Sequence, residues 1–436
     1  KIAKKCIGSK HLIIPLVLDS GPTHMGACAT REDSMATLLT ADTVTTYLLQ
    51  NLDKLPEGFF GAEAPKSLTA SAIQGGNVNY AFVVSSGDKK VFVKQAPEFV
   101  AIFGPDGFPL TSERMQKEMN VYHEWKDMLK EDGGFLPEIY FFDKSHMAVC
   151  MQFLDGYELL DHVLVSPPKA SGEWSLPDKI SRDLGTFMGK THASTHSSRL
   201  SEDKVAFYTK DYENRPMRDI QLEFVFTKAY KESTEEERCG LEFSDEFMKE
   251  VELLKTQYNN TTSSKDNSLV LSHGDLHPGS VMVDAVTGDM KVIDPEFTIY
   301  GPPGLDVGSL LSGYVLGAIH QAFSGNDSAA EKIIDDVQLI WDAYKEGFKA
   351  EIPDVSDSLI DSIEVETVGF AVAEVCRTAL GKAGGRLWLQ FPENPDTQKA
   401  AMKAALQLVQ ACMIARHNPG AISLLVKELT IACGSC

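Results

Sequence analysis

The chain has 436 residues, enough for two domains or two large lobes, and its 43% hydrophobic and 24% charged content is that of an ordinary globular protein. A net charge of −21 excludes an extended nucleic-acid surface, because a phosphate backbone needs a basic face; it leaves room for a local basic pocket around a small anion. No run of 18 apolar residues occurs, so no membrane span is expected.

Residues 1–34 carry Cys6 and Cys28, show no clear period, and read as an extension of unknown role. The expected location is cytoplasmic, with organellar targeting left open because the sequence begins at Lys1 rather than Met. Residues 35–51 read as an amphipathic helix and 52–67 as a Pro- and Gly-rich loop. Strand-like runs follow at 69–74, 80–85 and 90–95, separated by Gly75-Gly76-Asn77 and Gly87-Asp88 turns. A helix is predicted from Ser112 to Lys130, then strands at 138–142 and 147–154. Residues 35–152 therefore read as a small antiparallel sheet with one main helix.

Beyond Asp155 the pattern becomes helical, with helices predicted at 177–195, 216–232, 243–258, 304–323, 327–350, 355–382 and 396–415. The patches at 232–238 and 260–268 read as surface loops. The eight cysteines are scattered and suggest no disulfide framework. Cys433-Gly-Ser-Cys436 has metal-ligand spacing but no second pair nearby, and is taken as an incidental tail.

The one clear strand pair of this half carries the chemistry. In SHGDLHPGSVMVDAVTGDMKVIDPEF, residues 272–297, Asp275 sits in a His-Gly-Asp turn, and Asp294 and Glu296 follow the second strand. A hairpin brings its ends together, so the three carboxylates are expected in one cleft. Clustered carboxylates repel unless a cation or a proton-sharing substrate lies between them. Phosphoryl transfer meets that condition: one carboxylate orients or deprotonates a hydroxyl, and the others hold magnesium on nucleotide phosphates. Asp275 is the expected catalytic base, and Asp294 and Glu296 the magnesium ligands. His273 is expected to hydrogen-bond within the turn, and Asp306 to cap a helix or brace the turn.

The sheet supplies the nucleotide half. Gly75, Gly76, Asn77 and Asn79 form a turn that can present N–H groups to phosphate. Lys94 ends a strand, and a helical glutamate, Glu118 in preference to Glu113, is expected to pair with it. Gln152, Phe153 and Leu154 join the halves, where backbone groups commonly meet adenine.

These motifs resemble the methylthioribose kinase family, within the aminoglycoside-phosphotransferase and choline-kinase-like group. The resemblance rests on HGDLHPGSVMV, VIDPEF, YGPPGLDVG, GGNVNYAFVV, FVKQAPEFV, LPEIYFFD and NRPMRDIQLEFVFTKAY, and spans about residues 36–415. It implies an α+β, protein-kinase-like two-lobe fold, with an N-lobe at 35–152 and a mainly helical C-lobe at 153–436. It also implies ATP and magnesium, a small sugar acceptor phosphorylated at its anomeric hydroxyl, and a homodimer. The wider group carries Asn five residues after the catalytic Asp; this chain has Ser280, as the methylthioribose kinases do. That family also has an Arg-Arg pair that helps bind the sugar. Here Arg377 keeps the first position, Thr378 takes the second, and Arg386 lies nearby but off the matching place. The departure keeps open a related kinase with a different acceptor of sugar, choline or homoserine type, and a non-catalytic nucleotide-binding scaffold is a further alternative.

Overall fold

The computed structural model describes residues 37–61, 63–73, 78–167, 173–265, 267–383 and 386–434. The extension at 1–34, the turn residues Gly75, Gly76 and Asn77, and Cys436 of the C-terminal pair lie outside the described residues.

Five strands make one antiparallel sheet: β1 (Thr69–Ala72), β2 (Tyr80–Ser86), β3 (Lys89–Gln95), β4 (Ile139–Asp143) and β5 (Ala148–Gln152), in the order β1-β2-β3-β5-β4. Strand side chains alternate between faces. Phe82, Val84, Val91 and Val93 thereby cover the outer face and pack on Val44, Tyr47 and Leu48 of α1 (Thr43–Leu49). The same alternation turns Phe92 and Lys94 inward, towards α2 (Glu113–Leu129). That helix buries Met115, Met119, Tyr122, Trp125 and Leu129, spaced three or four apart on one stripe. Glu118 and Arg114 are buried with them, which is unusual for charged helical residues and marks them as paired.

The rest is mainly helical. Its helices are α3 (Leu160–Val165), α4 (Asp178–Thr195), α5 (Glu202–Asp211), α6 (Arg215–Glu223), α7 (Ala229–Lys231), α8 (Glu235–Arg238), α9 (Asp245–Tyr258), α10 (Gly304–Phe323), α11 (Asp327–Glu351), α12 (Asp357–Ala379), α13 (Pro395–Ala415) and α14 (Ala421–Cys433). Almost every residue of α10 is buried, so it is the axis of this lobe. Close approach of α4 to α11 depends on Gly185 and Gly189: a Cβ on either would lie 2.4 Å from a backbone carbonyl oxygen, of Ile340 or Tyr344. The inner face of the sheet, α2 and these helices share one continuous apolar core, separate from the outer-face cluster. No helix among the described residues is long and apolar enough to cross a membrane.

Two small ladders lie where the lobes meet. β6 (Glu158–Leu159), β8 (Val281–Asp284) and β9 (Asp289–Val292) form one; β7 (Val270–Ser272) and β10 (Ile299–Gly301) form the other. The expected hairpin is therefore present but is not the only strand pair of this half. The α+β, two-lobe fold agrees with the sequence reading.

Several expected elements differ in the structure. The helix expected over 35–51 spans only Thr43–Leu49. Gln95 holds the preceding segment extended: its side chain accepts from the Leu39 amide at 2.8 Å and donates to the Thr37 carbonyl at 3.1 Å. The helix expected over 216–232 is interrupted by a π-helical turn at Phe224–Lys228, where Thr227 Oγ1 donates to the Leu222 carbonyl. The loop expected at 232–238 contains α8, started by a Thr234/Glu237 capping box. Helices α3, α5 and α14 fall in stretches where no helix was predicted.

Candidate active site

The catalytic turn is held from three sides. Asp306, in the first turn of α10, accepts the His273 amide at 2.6 Å, the Gly274 amide at 2.9 Å and His192 Nε2 at 3.2 Å. His273 Nε2 reaches the Ile293 carbonyl at 2.9 Å, its Nδ1 meets the Asp275 amide at 3.3 Å, and its ring stacks on Trp125. Gly274 has φ +87° and sits so close to the next loop that a Cβ would lie 2.0 Å from the Phe297 carbonyl oxygen. Ser280 Oγ donates to the Asp275 carbonyl at 3.0 Å, so this hydroxyl ties the loop together. Both structural expectations, for His273 and for Asp306, agree with this geometry. β7 and β10 pair directly, so the segment after Glu296 is locked beside the turn that carries Asp275. The hairpin does bring its two ends together.

Each of the three carboxylates has a cationic neighbour of its own. Asp294 has φ +60°, strained for a non-glycine residue, and its side chain is 48% exposed. Its Oδ1 lies 2.7 Å from Lys94 Nζ, which is also 2.7 Å from Glu118 Oε2. One lysine thus joins strand β3, helix α2 and the loop after β9. Glu113 stands exposed in the first turn of α2, so Glu118 is the partner, as expected. Glu296 is buried; its Oε2 accepts from Asn79 Nδ2 at 3.0 Å and lies 3.3 Å from Arg114 Nε. Asn214, in left-handed backbone, donates to the Glu296 and Thr298 carbonyls and fixes the loop from α6. The sequence reading relieved the carboxylate repulsion with a metal; side-chain cations already relieve part of it.

Arg114 was not singled out from sequence, where a helical Arg reads as a surface charge. It is 1% exposed and donates to the carbonyls of Pro97, Thr111 and Val78 and to Asn79 Oδ1. It therefore fixes the base of the glycine-rich turn, of which Asn79 and Val78 are described, onto Glu296 of the other lobe.

The connector is only partly as expected. Gln152 belongs to β5, and its amide donates to the Glu138 carbonyl at 2.8 Å, so that N–H is committed to the sheet. The carbonyls of Phe153 and Leu154 close local turns with the amides of Asp155 and Tyr157. The amides of Phe153 and Leu154 have no backbone acceptor among the described residues. Lys90 lies over the Phe153 ring at 5.3 Å and pairs with Asp155 at 2.9 Å.

On the far side of the catalytic turn, Asp275 Oδ1 is buried with no hydrogen-bond partner among the described residues. Arg377 is buried and its Nε lies 2.9 Å from Glu374 Oε2, at an angle too poor for a hydrogen bond. Arg386 Nη1 approaches the same oxygen at 3.4 Å and Thr378 Oγ1 at 3.5 Å, and the guanidinium lies 5.5 Å over the Trp388 ring. Arg386 is therefore beside Arg377, a placement its sequence position did not announce.

These cations set the charge states. Burial pushes Asp275 upwards, but His277, Arg377 and Arg386 outweigh it and hold the carboxyl below its usual range. Burial brings His277 down to about 4, so at neutral pH the imidazole is uncharged and the lasting cations are the two arginines. Asp294 is held low by Lys94 against the same burial cost. Burial lifts Glu118 to about 7, even with the Lys94 ammonium beside it. Lys94 stays protonated: burial opposes its charge, and Asp294 and Glu118 more than restore it.

A buried lysine–glutamate pair, a loop carrying two further carboxylates and a braced Asp turn are the parts that phosphoryl transfer uses, and together they form the candidate site. A model of the phosphotransferase enzyme family matches residues 69–330, which contain all of these except Arg377 and Arg386. The chain belongs to the phosphotransferase enzyme family. Among relatives of this phosphotransferase, the methylthioribose kinase of Escherichia coli O45:K1 is 24% identical, over 86% of this chain and 93% of that protein. That of Geobacillus kaustophilus is 26% identical over 80% and 88%. Methylthioribose kinase 1 of Oryza sativa is 27% identical over 81% and 86%.

Proposed function

We propose that this phosphotransferase is an ATP-dependent kinase that phosphorylates the anomeric hydroxyl of 5-methylthioribose, a step of methionine salvage. The observation that carries the reading is that relatives bearing that one name align along four-fifths or more of the chain. Residue roles follow from the chemistry. The acceptor O–H lies against Asp275, which takes its proton as the oxygen bonds to the γ-phosphorus. The bond from that phosphorus to the bridging oxygen breaks, and ADP leaves with the electron pair. A carboxylate held low is ionised at neutral pH and ready for this role. Lys94 meets the nucleotide phosphates, with Asn79 of the glycine-rich stretch beside them, and the Phe153–Leu154 amides face the adenine.

Asp294 and Glu296 suit magnesium, which is typically bound by one or two carboxylates with the remaining places filled by phosphate and water. Supporting this, Asp294 is half exposed and ionised, and Glu296 Oε1 makes no hydrogen bond among the described residues. The ion would neutralise charge building on the transferred phosphoryl group.

The test is ADP release with methylthioribose, choline, homoserine and free ribose offered separately. The expected result is turnover dependent on methylthioribose and a loss of about a thousandfold in Asp275→Asn, with general base catalysis worth about 10²–10⁴. A preference for choline or homoserine would reassign the acceptor; Thr378 is the residue that motivates including them. Magnesium-dependent ATP binding without turnover on any acceptor would make the chain a scaffold.

A further inference from the structure

We propose that Arg386 is a specificity-determining residue that binds the phosphoacceptor directly, acting with Arg377 as a pair of guanidiniums drawn from different segments. The inference rests on the reading of this cleft as the acceptor site of a small-molecule kinase.

The argument starts from α10. A Cβ on Gly313 would lie 2.3 Å from Pro278 and 3.1 Å from Trp388, so both rings pack against that glycine. Pro278 is three residues past Asp275, and Trp388 is 2% exposed. The catalytic loop and the Trp388 segment are therefore neighbours over one helix. Arg386 lies across the Trp388 ring, which fixes the plane of its guanidinium at this spot.

Arg386 has little structural work there. Glu374, its one ion-pair partner among the described residues, already has Arg377 at 2.9 Å, while Arg386 stands at 3.4 Å. Its Nε and Nη2 make no hydrogen bond among the described residues. Two guanidiniums share one buried carboxylate, leaving a net positive charge and spare N–H donors near enough to Asp275 to act on its charge, and Asp275 Oδ1 has no hydrogen-bond partner among the described residues. Spare donors and a spare acceptor around one small volume match a ligand with adjacent hydroxyls, such as the diol of a furanose. Thr378 explains the arrangement: its short side chain leaves room for Arg386 to reach across, at 3.5 Å from Oγ1. A guanidinium carried at position 378 would fill that space itself.

The test measures KM for acceptor, KM for ATP, kcat and the melting temperature in Arg386→Met, Arg386→Lys and the double variant Thr378→Arg/Arg386→Met. The acceptor is whichever compound the wild type turns over best. The expected result is a ten- to hundredfold rise in acceptor KM for Arg386→Met, an unchanged ATP KM, partial recovery in Arg386→Lys and recovery to within about threefold in the double variant. An acceptor KM within twofold of wild type in Arg386→Met, or equal changes in both KM values, overturns the proposal. If Arg386→Met does not fold, failure of Arg386→Lys to raise the acceptor KM overturns it instead. A wild type that prefers another acceptor defeats the methylthioribose reading but not this one, because the variants are then run on the preferred acceptor.

Discussion

Lys94 has two carboxylate partners at 2.7 Å, and one of them, Glu118, has no access to water. Removing one partner of a buried ion pair typically costs about 3–5 kcal/mol, because the remaining charge is stranded. Lys94→Met should show that loss in denaturant unfolding, with a pH dependence of defined sign. Glu118 already stands at about 7 beside the lysine, and without it protonation is easier still. Below that pH the stranded carboxyl is neutral, so the deficit relative to wild type should be smaller at pH 5.5 than at pH 8.5. A deficit that is equal at both values would mean that Glu118 is not the stranded group. Of the site residues, Lys94, Glu118, Asp275 and Asp294 were legible in the sequence because their chemistry is fixed by motif and order. Arg114 and Arg386 were not. Arg114 is fixed by backbone carbonyls, Asn79 and Glu296, and Arg386, noted in the sequence only as lying off the matching place, meets Glu374, Thr378 and the Trp388 ring; a linear pattern shows neither set of partners.

At the scale of elements, long helices with steady apolar spacing were legible to within a few residues: α10 was expected at 304–323 and spans Gly304–Phe323. The short helices α3, α5 and α8 were not, because so few turns do not display a period, and α14, longer at 13 residues, was missed as well. Their start signals were nevertheless present, as in Ser201 capping α5 and the Thr234/Glu237 box before α8. The π-helical turn at Phe224–Lys228 lay inside a region read as one helix, since a single wide turn is too short to display a period of its own. The helix pair α4 and α11 supplies a test of packing. Gly189→Ala gains up to about 1 kcal/mol of helix propensity. The new methyl lies 2.4 Å from the Tyr344 carbonyl oxygen, a backbone atom that cannot swing aside, and overpacking of this kind costs about 1–3 kcal/mol. The denaturation midpoint should fall; a rise would mean that the two helices can separate freely.

For the whole molecule, a net charge of −21 means self-repulsion that the folded state concentrates. Added monovalent salt shortens the range of that repulsion to about 3 Å at 1 M. The melting temperature should therefore rise between 0.05 and 0.5 M sodium chloride; a fall would show that the surface ion pairs outweigh the overall repulsion. The two-lobe outline was readable from the change of pattern after Asp155, but the division of the interior was not. The apolar core runs from the inner face of the sheet through α2 to α14 without a gap, while the outer-face cluster under α1 stands apart. Its consequence is mechanical. Parting the lobes along that path would expose apolar surface that both share, at about 25 cal/mol for each Å² opened, so the continuous core resists separation of α2, with Glu118 and Arg114, from the helices beneath it. The rim of the sheet at β1, paired on one side only and mostly open to water, has little such filling to lose.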